Sequence, residues 1–136
     1  MTKEDKRYLQ DKLYHERDKE LLLKDLCARL PYVVKVESVF TNPDTKEHKS
    51  CGIEVFNATS LLMIRDGLGE FKPYLFPLSS MTEEQKREQE AHFTCIKHDM
   101  SFSICRYMEW CYKNHLDVNG LIPKGLAIDA TGLNIY

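Results

Sequence analysis

Histidine and cysteine are the side chains best equipped for chemistry in this chain, and most of them gather between positions 92 and 115. His92, Cys95 and His98 recur at intervals of three, with Cys105 or Cys111 available as a fourth donor. Zinc takes such nitrogen and sulfur ligands in a tetrahedron. The paired-cysteine knuckle is missing, however, so the stretch is expected to be a polar loop with one buried thiol, and a metal site is the weaker expectation. His48 near Cys51 is weaker still. Cys111 and His115 are four apart, which on a helix sets thiol and imidazole on one face. A reactive thiol needs exposure and a lowered pKa, and Cys111 falls on an apolar stripe, so packing is expected of it. Glu83, Glu84 and Glu88 lie among charged neighbours, with no apolar pocket to separate their pKa values. Gly67-Leu68-Gly69 is not followed by Lys-Ser or Lys-Thr and predicts a turn, not a phosphate loop. No catalytic residue, metal or cofactor is assigned from these groups.

The elements that would position them can be read from periodicity. Residues 2 to 20 hold six basic and six acidic side chains, with Tyr8, Leu9, Leu13 and Tyr14 among them, and predict a solvated helix or frayed arm, set apart as a charged N-terminal extension over 1–20. Residues 21–136 are expected to form a single α+β domain. Leu22, Leu23, Leu26, Cys27 and Leu30 have helical spacing, and Pro31 ends that helix. Alternation then predicts strands over 32–40 and 51–56, joined through a turn at Thr41-Asn42-Pro43-Asp44-Thr45. The apolar run 61–65 and the segment 71–76 complete a predicted antiparallel four-stranded meander.

Lys72-Pro73-Tyr74-Leu75-Phe76-Pro77 must be extended, because each proline pushes its predecessor out of the helical region, and neither proline belongs inside a central strand. A helix follows over 82–92, opened by one of two capping boxes, Ser80 with Glu83 or Thr82 with Gln85. Residues 93–101 are ambiguous between loop and strand. A last helix over 102–116 and a short extended segment at Leu126-Ala127-Ile128 end the chain.

The 136 residues suit one domain with a single core. A charged fraction of 29%, a hydrophobic fraction of 43% and a net charge of −2 are ordinary for a folded soluble chain. There is no basic stripe with interleaved aromatics, so nucleic-acid binding is not expected. No apolar run approaches the roughly 18 residues of a membrane span, and the charged start predicts neither signal peptide nor anchor. Five scattered cysteines without a C-x-x-C pair predict reduced, mostly buried thiols and a cytoplasmic address.

Three ordered stations stand out: Leu26-Cys27-Ala28-Arg29-Leu30-Pro31-Tyr32; Lys72-Pro73-Tyr74-Leu75 with Pro77-Leu78-Ser79-Ser80-Met81-Thr82-Glu83-Glu84; and His115-Leu116-Asp117 with Gly120-Leu121-Ile122 and Lys124-Gly125-Leu126-Ala127. Together they resemble a family of short uncharacterised bacterial proteins, many carried on prophages or other mobile elements, marked by LCARLPYGV, KPYLRPMSSMTEEE and HHFDYRGLI-x-KGLALEAP. The resemblance spans roughly residues 20 to 130 and implies a mobile-element setting, not a mechanism. The chain departs from that pattern with Val33 in place of glycine, Phe76 of arginine, Asn114 of histidine and Asn119 of arginine. The expected function is a non-enzymatic accessory protein that binds a host or phage protein, with Tyr74, Ser79, Met81, His115 and Asp117 as its candidate surface. A small metal-dependent or thiol enzyme is the alternative, and a nucleic-acid-binding module comes third.

Overall fold

The computed structural model describes residues 2–136. Helix α1 spans Lys3–Arg29 without a break at residue 20, and Thr2 and Asp5 form a capping box at its start. Its 27 residues reach about 40 Å at 1.5 Å per residue. Residues 2–17 are all exposed; burial begins only from Asp18 onward. Pro31 lies in a 3-10 turn, Leu30–Tyr32, that ends the helix, and Val33 turns the chain with φ +57°.

Strand β1 (Lys35–Thr41) pairs antiparallel with β2 (His48–Val55), with a bulge between Ser38 and Val39. The loop between them closes as Asn42 accepts from the backbone N–H groups of Asp44 and Thr45. β1 also pairs antiparallel with β3 (Gly69–Leu75). The fourth strand, β4 (Ile128–Asp129), runs parallel to β3, so the sheet order is β2-β1-β3-β4. Pro73 lies one residue before β4 joins at Tyr74, where its missing N–H leaves no ladder bond unmade.

The fold is therefore α+β, but the sheet is mixed and is not the expected antiparallel meander. The predicted strand 61–65 is instead helix α2, Ala58–Arg65. Asn57 explains the difference: its side chain accepts from Thr59 and Ser60 N–H, and Ser60 Oγ accepts from Asn57 N–H. Three satisfied N–H donors commit the segment to a helix, whereas the apolar run 61–64 fits helix or strand equally. Leu61, Met63 and Ile64 pack against the core, while Leu62 is exposed.

Thr82 with Gln85 is the true cap of helix α3, Glu83–His98. That helix runs six residues beyond the expected end, so most of the ambiguous segment 93–101 is helical. Asp99 separates it from α4, Met100–Lys113. The two pack as a hairpin through Gln89 on Tyr107, Glu88 on Trp110, and Phe93 against Tyr107. The core lies between α1, α2 and one face of the sheet: Leu26, Val34, Val36, Phe56, Phe71, Leu75, Leu121 and Ala127. Only Cys111 of the five cysteines is buried. The expectation of mostly buried thiols thus fails, because Cys27, Cys51, Cys95 and Cys105 lie on faces turned away from the core. No helix among the described residues is long and apolar enough to cross a membrane.

Candidate functional site

The most unusual chemistry lies where the last turn of α1 meets the chain after α4. Asp25 and Arg29 are 1% and 0% exposed. The Arg29 guanidinium grips Asp25 through Nε at 2.6 Å and Nη2 at 3.2 Å, and Nη2 also donates to the Leu116 carbonyl at 2.7 Å. Asn119 donates to Asp25 Oδ2 at 2.8 Å. The ring of Tyr112 lies 4.9 Å from the guanidinium carbon, a cation–π contact that partly replaces lost solvation. A buried ion pair needs such partners to offset the desolvation of both charges, and among the described residues Arg29 Nη1 is left buried without one.

Arg29 thereby anchors a sharp turn. α4 stops at Lys113, and His115 takes φ +57°, a conformation costly for a residue with a Cβ. Phe76 fixes the next step: its N–H donates to the His115 carbonyl and its carbonyl accepts from the Asp117 N–H, both at 2.8 Å. The Asp117 carboxylate, 6% exposed, accepts from Leu121 and Ile122 N–H at 2.8 and 2.9 Å. On the other side the Tyr136 ring stacks on the His115 imidazole, centroids 3.6 Å apart and planes 12° apart. The Tyr136 hydroxyl sits between β1 and β3, accepting from Lys35 N–H and donating to the Tyr74 carbonyl, each at 2.8 Å. Burial, with Arg29 and then Lys35 adding positive charge, lowers the His115 pKa to about 4. Burial raises the thiol pKa of Cys111.

The three stations that carry the family resemblance meet in this knot, through Arg29, Tyr74 and Phe76, and His115 to Leu121. It builds structure more than it offers chemistry. Of the candidate surface residues, Tyr74 and Asp117 are buried and serve as strand and cap, His115 is half-buried beneath Tyr136, Met81 is half-buried, and only Ser79 is open. The helical face that the Cys111–His115 spacing would share does not form, because the helix ends at Lys113 and His115 lies in a left-handed turn. Both shifts also oppose a thiolate–imidazolium pair.

His92, Cys95 and His98 lie along α3 with Cys105 on α4. His92 packs against Tyr107 and Trp110, and Cys95 lies beside Phe102, Ser103 and Arg106 in a shallow open cleft. Among the described residues no three His, Cys, Asp or Glu side chains converge as metal ligands. His48 instead bonds Thr41 Oγ1 through Nδ1. The buried pair Asp25–Arg29 escaped the sequence reading, since two opposite charges four apart normally mark a solvated face. A signal was present: Leu22, Asp25, Leu26 and Arg29 share one helical stripe.

The open surfaces are elsewhere. Tyr8, Leu9, Leu13 and Tyr14 are 68, 43, 66 and 54% exposed on the projecting half of α1. Phe93, Met100, Phe102 and Ile104 are exposed on the α3–α4 hairpin. No family model, curated protein or solved structure matches the chain.

Proposed function

We propose that the protein is a non-enzymatic accessory protein that acts by binding another protein, in the prophage or mobile-element setting that its resemblance implies. The observation that carries this proposal is the projecting half of α1. Residues 2–17 are exposed, yet the helix is capped and presents Leu9 and Leu13 one turn apart, with Tyr8 and Tyr14 beside them. Helical spacing places Leu9 and Leu13 on the side opposite Asp25 and Arg29, so the apolar pair faces away from the body of the protein. A surface-exposed pair at i and i+4 is what a partner groove reads from a helix. The α3–α4 hairpin offers a second exposed apolar surface. The enzyme alternative has less support, because the buried thiol and imidazole are tuned away from reactivity.

Copurification from the native host tests the proposal. The wild-type protein is expected to retain a stoichiometric protein partner, and a Leu9→Glu, Leu13→Glu double variant to lose it while keeping its circular dichroism spectrum and thermal midpoint. No stoichiometric partner for the wild type, or one held equally well by the variant, would count against this role for α1.

A further inference from the structure

The segment after β4, residues 131–136, returns across the sheet and is fastened at its end. Tyr136 makes most of the attachments: the stack on His115, the hydroxyl bridge between Lys35 N–H and the Tyr74 carbonyl, and a tilted contact with Phe76 at 5.9 Å. The Lys35 ammonium adds a hydrogen bond to the Ile135 carbonyl. Thr131, Gly132, Leu133 and Asn134 are exposed, so little else holds the segment. We propose that residues 131–136 form an acid-released strap, closed while His115 is neutral and detached from the end of the β1–β3 ladder when His115 takes up a proton.

The geometry makes His115 the sensitive point. Its ring is clamped between Tyr136 and the body of the protein, and its Nδ1 is buried without a hydrogen-bond partner among the described residues. A charged imidazolium must donate from both nitrogens, so protonation leaves a buried N–H with no acceptor, a costly state. The surrounding charges reinforce this cost. Arg29 from α1 and Lys35 from β1 oppose a further positive charge. Of the nearby carboxylates, Asp25 is engaged by Arg29 and Asn119, and Asp117 by Leu121 and Ile122 N–H, while the charge of Glu37 on β1 acts on the Tyr74 hydroxyl. The Cys111 thiol from α4 and the hydroxyls of Tyr74 from β3 and Tyr136 all have raised pKa values, with burial the largest cause, and stay neutral in acid. Asp129, which accepts from Thr131 N–H at the strap's root, is held below the usual carboxylate range by the Thr131 side chain and then by that backbone bond.

The sign follows from linkage. The ring titrates near 4 when covered and near the ordinary 6.5 when free, so the released state binds the proton more readily. Release grows as pH falls through 6.5 and levels off below 4. With full exposure of the ring on release, the opening equilibrium rises up to roughly 30-fold between pH 7.5 and 5. Detachment frees the Lys35 N–H and the Tyr74 carbonyl at the end of the β1–β3 ladder. This inference does not depend on the protein-binding role proposed for α1.

Amide hydrogen exchange by NMR reads the strap directly, because the Lys35 amide donates to the Tyr136 hydroxyl. After correction for intrinsic exchange rates, the protection of Lys35 is expected to fall by about an order of magnitude or more from pH 7.5 to 5, while the core amides of Val36 and Phe71 remain protected. Tyr136→Phe, which keeps the ring and removes the bridge, is expected to lose Lys35 protection at both pH values. His115→Phe, which keeps a flat ring that cannot charge, is expected to make protection independent of pH. As a variant that leaves the body of the fold untouched, Tyr136→Ala is expected to move the His115 titration midpoint from about 4 toward 6.5. Lys35 protection that does not change with pH in the wild type, an unchanged fall in His115→Phe, loss of core and Lys35 protection together, or an unmoved His115 midpoint in Tyr136→Ala would each overturn the proposal.

Discussion

The two ends of α1 carry charge of the same kind at similar density, yet they do opposite things. Near the C-terminal end, Asp25 and Arg29 are sealed beneath Tyr112, Leu116 and Asn119. Near the N-terminal end, every charge from Lys3 to Arg17 faces water, and the Lys24–Glu20 pair in between spans 3.0 Å with both side chains largely exposed. The surroundings decide the difference. A buried pair has no solvent to replace either partner, so each charge depends on the other. An exposed pair is worth a few tenths of a kcal/mol, because water competes for both ends. Arg29 is therefore a keystone of the fold, and Arg17, twelve positions earlier in the same helix, is not.

That contrast can be broken most severely at Arg29. Arg29→Ala leaves Asp25 buried without its counter-ion and removes the donor that holds the Leu116 carbonyl. Removing one partner of a buried pair costs about 3–5 kcal/mol, and the urea unfolding midpoint should fall accordingly. A loss below about 1 kcal/mol would mean that the pair behaves like an exposed one. Combining Asp25→Leu with Arg29→Met is expected to recover much of the loss, because an apolar pair of similar volume escapes the desolvation cost.

Asp117→Ala comes next. Its carboxylate satisfies the N–H groups of Leu121, which is fully buried, and Ile122. Leaving such donors unpaired costs about 1–3 kcal/mol. Asp117→Asn, which keeps one acceptor oxygen, should fall between wild type and alanine in thermal midpoint; equal loss in both variants would place the value of Asp117 in its charge.

Val33 tests the other way in which this region carries strain. A β-branched residue at φ +57° is unfavourable by about 1–2 kcal/mol, and glycine regains some of that while adding entropy to the unfolded chain. Val33→Gly is therefore expected to stabilise by about 0.5–1 kcal/mol, read as a rise in the unfolding midpoint. No gain would mean that the half-exposed valine side chain contributes packing of equal size.

Parts of this arrangement could be read directly from the residues. The alternation of Val34 and Val36 marks β1, the glycine-flanked turn at Gly67 marks the entry to β3, and Thr82 with Gln85 marks α3. These signals are local, depending on backbone angles and neighbours within one turn. α2 was hidden because Ser60, not Glu or Gln, completes its capping box. The parallel pairing of β3 with β4 was hidden because it joins residues some fifty positions apart through only two residue pairs. The knot was hidden for a similar reason: the partners of Arg29 at Leu116 and Asn119 and the seat of Tyr136 between Lys35 and Tyr74 are set by chain return, which no periodicity encodes. The exposed arm was legible as a charged segment, but its continuity with the helix that follows was not.

The smallest expected stability effect belongs to that arm and is the most informative about function. Leu13→Gln keeps helix propensity almost unchanged and removes an apolar side chain that is 66% exposed and has no place in the core. A surface substitution of this kind shifts stability by no more than about 0.5 kcal/mol, so thermal and urea midpoints should match those of the wild type. A larger loss would mean that Leu13 is packed within the folded chain, which would return the projecting half of α1 to the structural role already filled by Arg29. An unchanged midpoint together with weakened partner retention would separate the two ends of the helix cleanly, because a residue that contributes nothing to folding but matters to binding can only act on a surface outside this chain.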